Sequence, residues 1–136
     1  MAKNVNLTIT TPQGIYFNDM VDIVTVKTPE GYVGFMANHQ PTLSTIMIST
    51  LYVNSSSSGK QRLAAIDTGL IYVDKEQITI VTSACEFAED IDVTRARKAK
   101  EKAEEAIKLT TNITKITEEE RRLSRSLNRL KVADQK

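Results

Sequence analysis

The sequence lacks most of the residue types from which catalytic and metal sites are built. Its 136 residues include no tryptophan, one histidine and one cysteine, and aromatic side chains make up 5% of the chain. His39 has no second histidine with which to form a metal site. Cys85 has no partner for an internal disulfide, which favours a reducing compartment, and a free cysteine is more often a buried apolar residue than a nucleophile. We therefore expect a non-catalytic protein without a metal.

Long apolar runs and an excess of charge of one sign are also absent. No run approaches the roughly 20 apolar residues that span a bilayer, and no signal-peptide pattern precedes the first predicted strand. We therefore expect a soluble chain that meets a membrane only through a partner, without direct membrane insertion. The 18 basic and 17 acidic side chains leave a net charge of +1. This balance gives no field that attracts polyanions, which argues against a dedicated nucleic-acid-binding protein.

The charged residues are unevenly distributed along the chain. Of the 35 Asp, Glu, Lys and Arg side chains, 24 lie from Glu86 onward. The segment before this point is rich in short apolar alternations, and the segment after it is highly charged. We therefore predict two domains, residues 1–87 and residues 88–136, with a hinge at residues 89–96.

Residues 1–87 have the pattern of short strands. Val5, Leu7 and Ile9 alternate with polar residues, which is typical of a half-buried strand. Residues 15–17 and 21–27 are predicted as the second and third strands. Turn signals recur about every 8–12 residues, and this spacing predicts a β-sandwich or barrel rather than an α/β sheet.

Residues 88–136 show helical spacing. Asp92 is a suitable N-cap, because its carboxylate can accept hydrogen bonds from the free N–H groups of the first turn. Small residues then recur along one face, which lets a second helix approach closely but buries little area, so the helical arm should detach easily. The residues of this face are Val93, Ala96, Ala99, Ala103, Ala106 and Ile107.

The second helix is predicted to begin at Thr117. Residues 109–116 are rich in β-branched residues, which are weak helix formers, and are interpreted as the connector. Thr117 and Glu120 have the spacing of a capping box. We therefore predict an all-β sandwich followed by an antiparallel α-helical hairpin, an α+β fold overall.

Two stripes of like residues run along the second predicted helix. One is apolar and one is basic, made of Leu123, Leu127 and Leu130 and of Arg122, Arg125 and Arg129. The basic stripe has two explanations: a solvated face partly paired with nearby glutamates, or guanidinium groups that bind phosphates or acidic residues of a partner. The sequence leaves both open.

The order of these features resembles the epsilon subunit family of F-type ATP synthases over the whole chain. The resemblance rests on four motifs, which are Gly31-x-x-Gly34 followed by His39-x-Pro41, the strand pair that starts at Asp67-Thr68-Gly69, Asp90-Ile91-Asp92-x-x-Arg95-Ala96, and the C-terminal Leu127-Asn128-Arg129-Leu130-Lys131-Val132. Each motif is modest alone, and together in this order they are strong. The resemblance implies a non-catalytic central-stalk subunit of a rotary, hydrogen-ion-translocating motor, peripheral on the cytoplasmic face of the bacterial cell membrane.

The resemblance also implies the partners. The sandwich would bind the gamma subunit and rest on the polar loops of the membrane c-ring, with Tyr32 and His39 as partner contacts. The hairpin would either fold down or extend into the alpha/beta hexamer, where its basic helix, including Arg122, would meet acidic surfaces and inhibit ATP hydrolysis. Two departures touch the ring-facing edge: Ala37-Asn38 stands where the family usually has Pro-Gly, and Tyr32 where it often has an acid.

In bacterial members of this family the folded hairpin can bind ATP, so the resemblance implies ATP as a regulatory ligand and no obligatory cofactor. The residues that match this nucleotide site are Glu86, Ile91, Asp92, Arg95, Ala96, Arg125 and Arg129. The three arginines would neutralise the triphosphate, and Ile91 and Ala96 would offer an apolar wall for adenine. Glu118 stands where ATP-binding relatives can carry another arginine. A free-standing ATP-binding sensor or adaptor module is the alternative function.

Overall fold

The computed structural model describes residues 3–135. The chain divides into two compact units, Met1–Phe87 and Ala88–Lys136. Within the described residues, the strands all lie in the first unit and the α-helices in the second. The predicted fold class, an all-β sandwich followed by an α-helical pair, is confirmed.

The first unit is a sandwich of two five-stranded sheets. Its strands are β1 (Val5–Thr11), β2 (Gly14–Val21), β3 (Val24–Thr28), β4 (Gly31–Phe35), β5 (Thr42–Ile46), β6 (Ser49–Val53), β7 (Arg62–Ile66), β8 (Gly69–Val73), β9 (Gln77–Thr82) and β10 (Cys85–Phe87). The first sheet has the order β2-β1-β9-β8-β5, and the second has the order β10-β7-β6-β3-β4. Neighbouring strands are antiparallel except β1 and β9, which run parallel.

Alternation along the strands places an aliphatic core between the sheets. In β1, Val5, Leu7 and Ile9 are fully buried, whereas the residues between them are half-buried. Both sheets contribute to one buried cluster, in which the large side chains include Leu51, Ile66, Ile71, Ile78 and Ile80. Burial of this apolar surface is the main force that stabilises the sandwich.

The prediction of one strand over residues 21–27 is wrong. β2 continues to Val21, and β3 begins at Val24 after a break at residues 22–23. The side chain of Asp22 explains the break, because its carboxylate accepts hydrogen bonds from the Ser55 N–H (2.8 Å) and hydroxyl (2.6 Å). The break moves the chain from the first sheet to the second, so Val21 and Val24 both reach the core although they are three residues apart.

The second unit is a pair of helices, α1 (Val93–Leu109) and α2 (Ile113–Asp134). The three-residue connection and the packing of the helices along each other make them an antiparallel pair. The predicted start of the second helix at Thr117 is wrong. Asn112 is the N-cap, and its side-chain oxygen accepts hydrogen bonds from the N–H groups of Thr114 (2.9 Å) and Lys115 (3.4 Å). Thr117 lies inside the helix and donates its hydroxyl proton to the Ile113 carbonyl (3.0 Å).

The face of small residues is narrower than predicted. In α1, Ala96 and Ala103 are buried, but Ala99 is exposed. In α2 the buried small residues are Ser126 and Ala133, also seven apart. The predicted leucine stripe is correspondingly incomplete, because Leu127 is 45% exposed. A single partner helix covers only about two positions per heptad of its neighbour. The residues that flank these positions therefore stay exposed to solvent.

Candidate functional site

The start of α1 is built around Asp92. Its backbone is extended, and its Oδ1 accepts a hydrogen bond from the Arg95 N–H at 3.0 Å. The Ala96 N–H donates to the Asp92 carbonyl at 3.0 Å, which is the first hydrogen bond of the helix. The predicted N-cap is therefore confirmed, and such a cap contributes about 1 kcal/mol.

The other residues matched to the nucleotide motif differ in exposure. Ile91 and Ala96 are buried, so they present little apolar surface to a base in this arrangement. Arg95 is exposed at the first turn of α1. Arg125 and Arg129 are half-buried and four residues apart, which places them on one face of α2. Glu86 lies in β10, in the first unit.

Arg122 of the basic stripe forms an ion pair within α2. Arg122 Nη1 lies 2.6 Å from Glu119 Oε1, three residues earlier on the helix, and the Arg122 side chain is 62% exposed. This is the pairing with a nearby glutamate that the sequence offered as one explanation. An exposed pair of this kind contributes less than about 1 kcal/mol, so Arg122 can exchange its partner at small cost.

Charge is segregated along the helical pair. Residues 93–102 of α1 contain five basic side chains and one acid, and residues 121–134 of α2 contain five basic side chains and one acid. Because the helices are antiparallel, these two stretches belong to the same end of the pair. Three consecutive acids, at residues 118–120, lie nearer the connection. One end of the pair is therefore cationic and suited to an anionic ligand or protein surface.

The outer face of the first sheet carries an apolar patch, which sequence reasoning did not identify. Strand pairing places Leu43 opposite Tyr72 and Leu70 opposite Val81. These four side chains are 66%, 45%, 47% and 53% exposed, respectively. The sequence of β8 could have indicated this patch. Its consecutive apolar residues, Leu70-Ile71-Tyr72-Val73, lie alternately on the two faces of the strand, a pattern typical of a strand covered on both faces.

The two residues predicted to contact the membrane ring lie at opposite ends of β4. Tyr32 is 48% exposed near the beginning of the strand, where its ring meets that of Tyr52 edge-on at 6.0 Å. His39 follows the end of the strand and packs edge-on against Phe35, with ring centroids 5.1 Å apart. Its Nδ1 lies 2.8 Å from the Gln40 carbonyl oxygen. The structure therefore does not bring Tyr32 and His39 into one cluster.

Residues 3–135 contain neither a candidate metal cluster nor a helix suited to span a membrane. No group of three or more His, Cys, Asp or Glu side chains is placed to hold a metal ion. Neither α1 nor α2 is long and apolar enough to cross a membrane.

Comparison with known families decides what the two units are. The ATP synthase delta/epsilon chain beta-sandwich domain matches residues 4–88, and the long alpha-helix domain of the same chain matches residues 89–134. The chain belongs to the ATP synthase delta/epsilon family. The recognition made from the motifs is confirmed, and so is the function as a non-catalytic rotor subunit of an F-type ATP synthase.

Individual relatives agree with the family assignment. The ATP synthase epsilon chain of Mycoplasma mobile is 42% identical over 134 residues, covering 97% of this chain and 95% of the relative. The epsilon chain of Ruminococcus albus is 37% identical over 131 residues, covering 96% of each. A chain in the mitochondrial ATP synthase of Euglena gracilis has the same fold, with a TM-score of 0.74 at 24% identity over 89% of this chain and 76% of that one.

One departure from the family pattern has a structural explanation. Asn38, which stands where the family usually has Gly, has a φ of +65°. Asparagine tolerates this left-handed conformation better than other residues with a side chain. The Asn38 N–H also donates to the Lys75 carbonyl at 2.9 Å. The turn before His39 thus keeps a glycine-like conformation without glycine.

Proposed function

We propose that this epsilon-family chain couples the gamma subunit to the c-ring and restrains ATP hydrolysis through its helical pair. The observation that carries the proposal is the apolar outer face of the first sheet, which we define as Leu43, Leu70, Tyr72 and Val81. A soluble domain with a contiguous exposed apolar patch on a rigid sheet commonly uses it to bind another protein. Gamma is the partner to which we assign this face.

The chemistry of the face supports a stable contact rather than a transient one. The face combines three aliphatic side chains with one tyrosine, and interfaces that persist are apolar at their centres and enriched in tyrosine. Each square ångström of apolar surface removed from water contributes about 25 cal/mol. The hydroxyl of Tyr72 would keep a polar group at the contact.

A separate surface is assigned to the ring. His39 and its neighbours Asn38 and Gln40 are polar and at least partly exposed, which suits contact with the polar loops of the c-ring. Tyr32 lies at the other end of β4, so we assign it to the margin of a partner contact rather than to the same cluster as His39. With gamma and the ring as partners, the chain is held on the cytoplasmic face of the cell membrane as a peripheral subunit.

The helical pair is assigned the regulatory role. Its cationic end, with Arg122 exposed, complements acidic surfaces that we assign to the alpha/beta hexamer. Apart from Val132, the buried residues of the two helices are small, namely Ala96 and Ala103 in α1 and Ser126 and Ala133 in α2. They bury little area per turn, so moving the helices between a folded and an extended position costs little.

The same end of the pair supports a proposal of regulatory ATP binding. Arg95 at the first turn of α1, together with Arg125 and Arg129 on one face of α2, would supply guanidinium groups to the triphosphate. Ile91 and Ala96 are buried, so adenine would require them to become accessible. ATP would then stabilise the folded position of the pair and relieve inhibition.

The docking proposal is tested by placing a charged side chain in the apolar face. Leu70→Asp should abolish co-purification with gamma after co-expression, whereas Leu109→Asp, at a leucine 79% exposed in the helical unit, should leave it intact. If both variants co-purify with gamma as well as the unmodified chain, the apolar face is not the gamma contact.

The regulatory proposal is tested in the assembled motor. Removing residues 90–136 should raise ATP hydrolysis while the remaining sandwich still co-purifies with gamma. Unchanged hydrolysis in a fully assembled complex would show that the helical pair does not inhibit.

A further inference from the structure

The last residue of the sandwich, Phe87, is held by side chains from both sheets. The ring of Tyr16, from β2 of the first sheet, stacks on the Phe87 ring with centroids 5.4 Å apart and planes 26° apart. The Arg62 guanidinium carbon, from β7 of the second sheet, lies 3.5 Å from the Phe87 ring centroid. Phe17 adds an edge-on contact at 5.6 Å. Aromatic and cation–π contacts of this kind favour one position of the Phe87 ring.

The backbone of Phe87 is held as well. Its N–H donates a 2.8 Å hydrogen bond to the phenol oxygen of Tyr16. A bulge makes this possible: Ile9 pairs with Phe17 and Thr10 with Ile15, so Tyr16 is an extra residue in β2. Bulges redirect side chains and occur where a strand serves a specific purpose. We call Tyr16, Arg62 and Phe87 the clamp.

On the other side of Phe87 the chain belongs to the second unit. The short 3₁₀ turn Ala88–Asp90 lies against α2, and the Ile91 N–H reaches the Ala88 carbonyl at 3.4 Å. The boundary between the two units falls between Phe87 and Ala88. The segment 89–96, which the sequence predicted as the hinge, therefore lies inside the unit that contains the helices.

We propose that the clamp is the fixed side of a hinge at the Phe87–Ala88 junction, so that the helical unit turns about one or two residues rather than about a flexible linker. This inference rests on the proposed movement of the helical pair. A short, stiff connection restricts the positions that a tethered group can reach and raises its effective concentration at the permitted ones. The clamp would thereby direct the helices to a small set of positions.

Loss of the clamp contacts should extend the flexible segment from the junction into β10 of the sandwich. Among the described strands, the three-residue edge strand β10 pairs with β7 alone. Without the Tyr16 hydroxyl, the Phe87 N–H loses this hydrogen bond and the end of the strand should fray. The flexible segment would then include residues 85–87, and the helices would sample a broader range of positions.

Residue-resolved amide hydrogen exchange and ¹⁵N relaxation of the full chain test this inference. Tyr16→Phe keeps the ring and removes the hydroxyl, so the Phe87 amide should exchange roughly tenfold faster or more, since one hydrogen bond is lost. Order parameters over residues 85–87 should fall, while those of β1 stay unchanged. Arg62→Met, which keeps the apolar stem, should lower the order of Phe87 to a smaller extent. Tyr72→Phe is the matched control and should alter neither quantity.

Two results test the clamp and the movement of the helical unit independently of each other. A Phe87 amide that exchanges at the same rate in Tyr16→Phe and in the unmodified chain overturns the clamp. If relaxation shows that both units tumble as one body in the unmodified chain, with and without ATP, the proposed movement is overturned, and the exchange of the Phe87 amide still decides whether the clamp exists.

Discussion

The hydroxyl oxygen of Thr82 lies 3.0 Å from the carbonyl oxygen of Asp67, at a corner where the chain passes between the two sheets. Thr82 is buried at the end of β9, and the same hydroxyl is 3.0 Å from the Thr68 carbonyl. The Asp67 N–H donates to the Ala84 carbonyl at 2.9 Å. One hydroxyl group thus ties the connection that leaves β7 to the connection that leaves β9.

Replacing this hydroxyl should destabilise the sandwich. Thr82→Val keeps the shape of the side chain but removes the one hydroxyl proton that these carbonyl groups share, and the loss of this buried hydrogen bond costs about 1–3 kcal/mol in the free energy of unfolding. Thr45→Val, at an exposed position of β5, is the control and should change that free energy by less than about 0.5 kcal/mol. Denaturant unfolding followed by a sandwich-specific probe measures both. Equal stability of the two variants would mean that the corner does not depend on the hydroxyl.

Gly69 should tolerate no side chain. A Cβ at this position would overlap the carbonyl oxygen of Val81 and lie 2.9 Å from the Cα of Thr82, both of which are backbone atoms. At Gly34 the nearest atom to an added Cβ is the end of the Ile23 side chain, at 2.8 Å, which can rotate away. We therefore expect Gly69→Ala to lower the melting temperature far more than Gly34→Ala does. A larger loss for Gly34→Ala would contradict this account.

The loop that begins at Asn54 should loosen at low pH. The Ser55 hydroxyl that donates to Asp22 holds the pKa of this carboxyl below its usual value, with further backbone hydrogen bonds acting in the same direction. Since the folded pKa is lowered, the stabilisation is present above the unfolded pKa of about 4 and is lost as the pH falls through the folded value. The protection factor of the Ser55 amide, which is its exchange rate corrected for the intrinsic rate at the same pH, should therefore fall at low pH. Asp22→Asn should remove this pH dependence, and a Ser55 amide that behaves identically in both chains would refute it.

Cys85 should be inert in the folded chain. Burial raises the pKa of its thiol to about 12, with a smaller contribution from the charge of Glu86. At pH 8 only about one thiol in ten thousand is then ionised, so alkylation by iodoacetamide should be slow until denaturant exposes it. The sign of the stability effect follows, because a raised folded pKa costs stability as the pH rises above the unfolded value of about 8.5. Cys85→Ala should lose less stability than the unmodified chain in this alkaline range, and mass spectrometry of the alkylated protein measures the reactivity.

The fold was more predictable from the sequence than the candidate sites were. Period-two alternation and the cap at Asp92 are local signals, and local signals predicted the class of each half. The misplaced start of α2 shows their limit, since Asn112 and Thr117 are both suitable caps and no local pattern in the sequence distinguishes them. The clamp depends on Tyr16 and Phe87, which are 71 residues apart. No local sequence pattern predicts that contact, because it depends on a bulge that forms only when β1 and β2 pair.

The final prediction concerns ATP and the start of α1. If the nucleotide binds here, millimolar ATP should raise the melting temperature of the full chain, because a ligand that binds only the folded state stabilises it by RT ln(1 + [L]/Kd). Arg95→Ala should abolish this rise, since it removes a guanidinium group from the proposed triphosphate site. Arg97→Ala is the matched control: it removes the same charge from an exposed position two residues later in α1 and should keep most of the rise. Equal losses in both variants would indicate attraction to the cationic end rather than a defined site, and no rise in the unmodified chain would exclude ATP as its ligand.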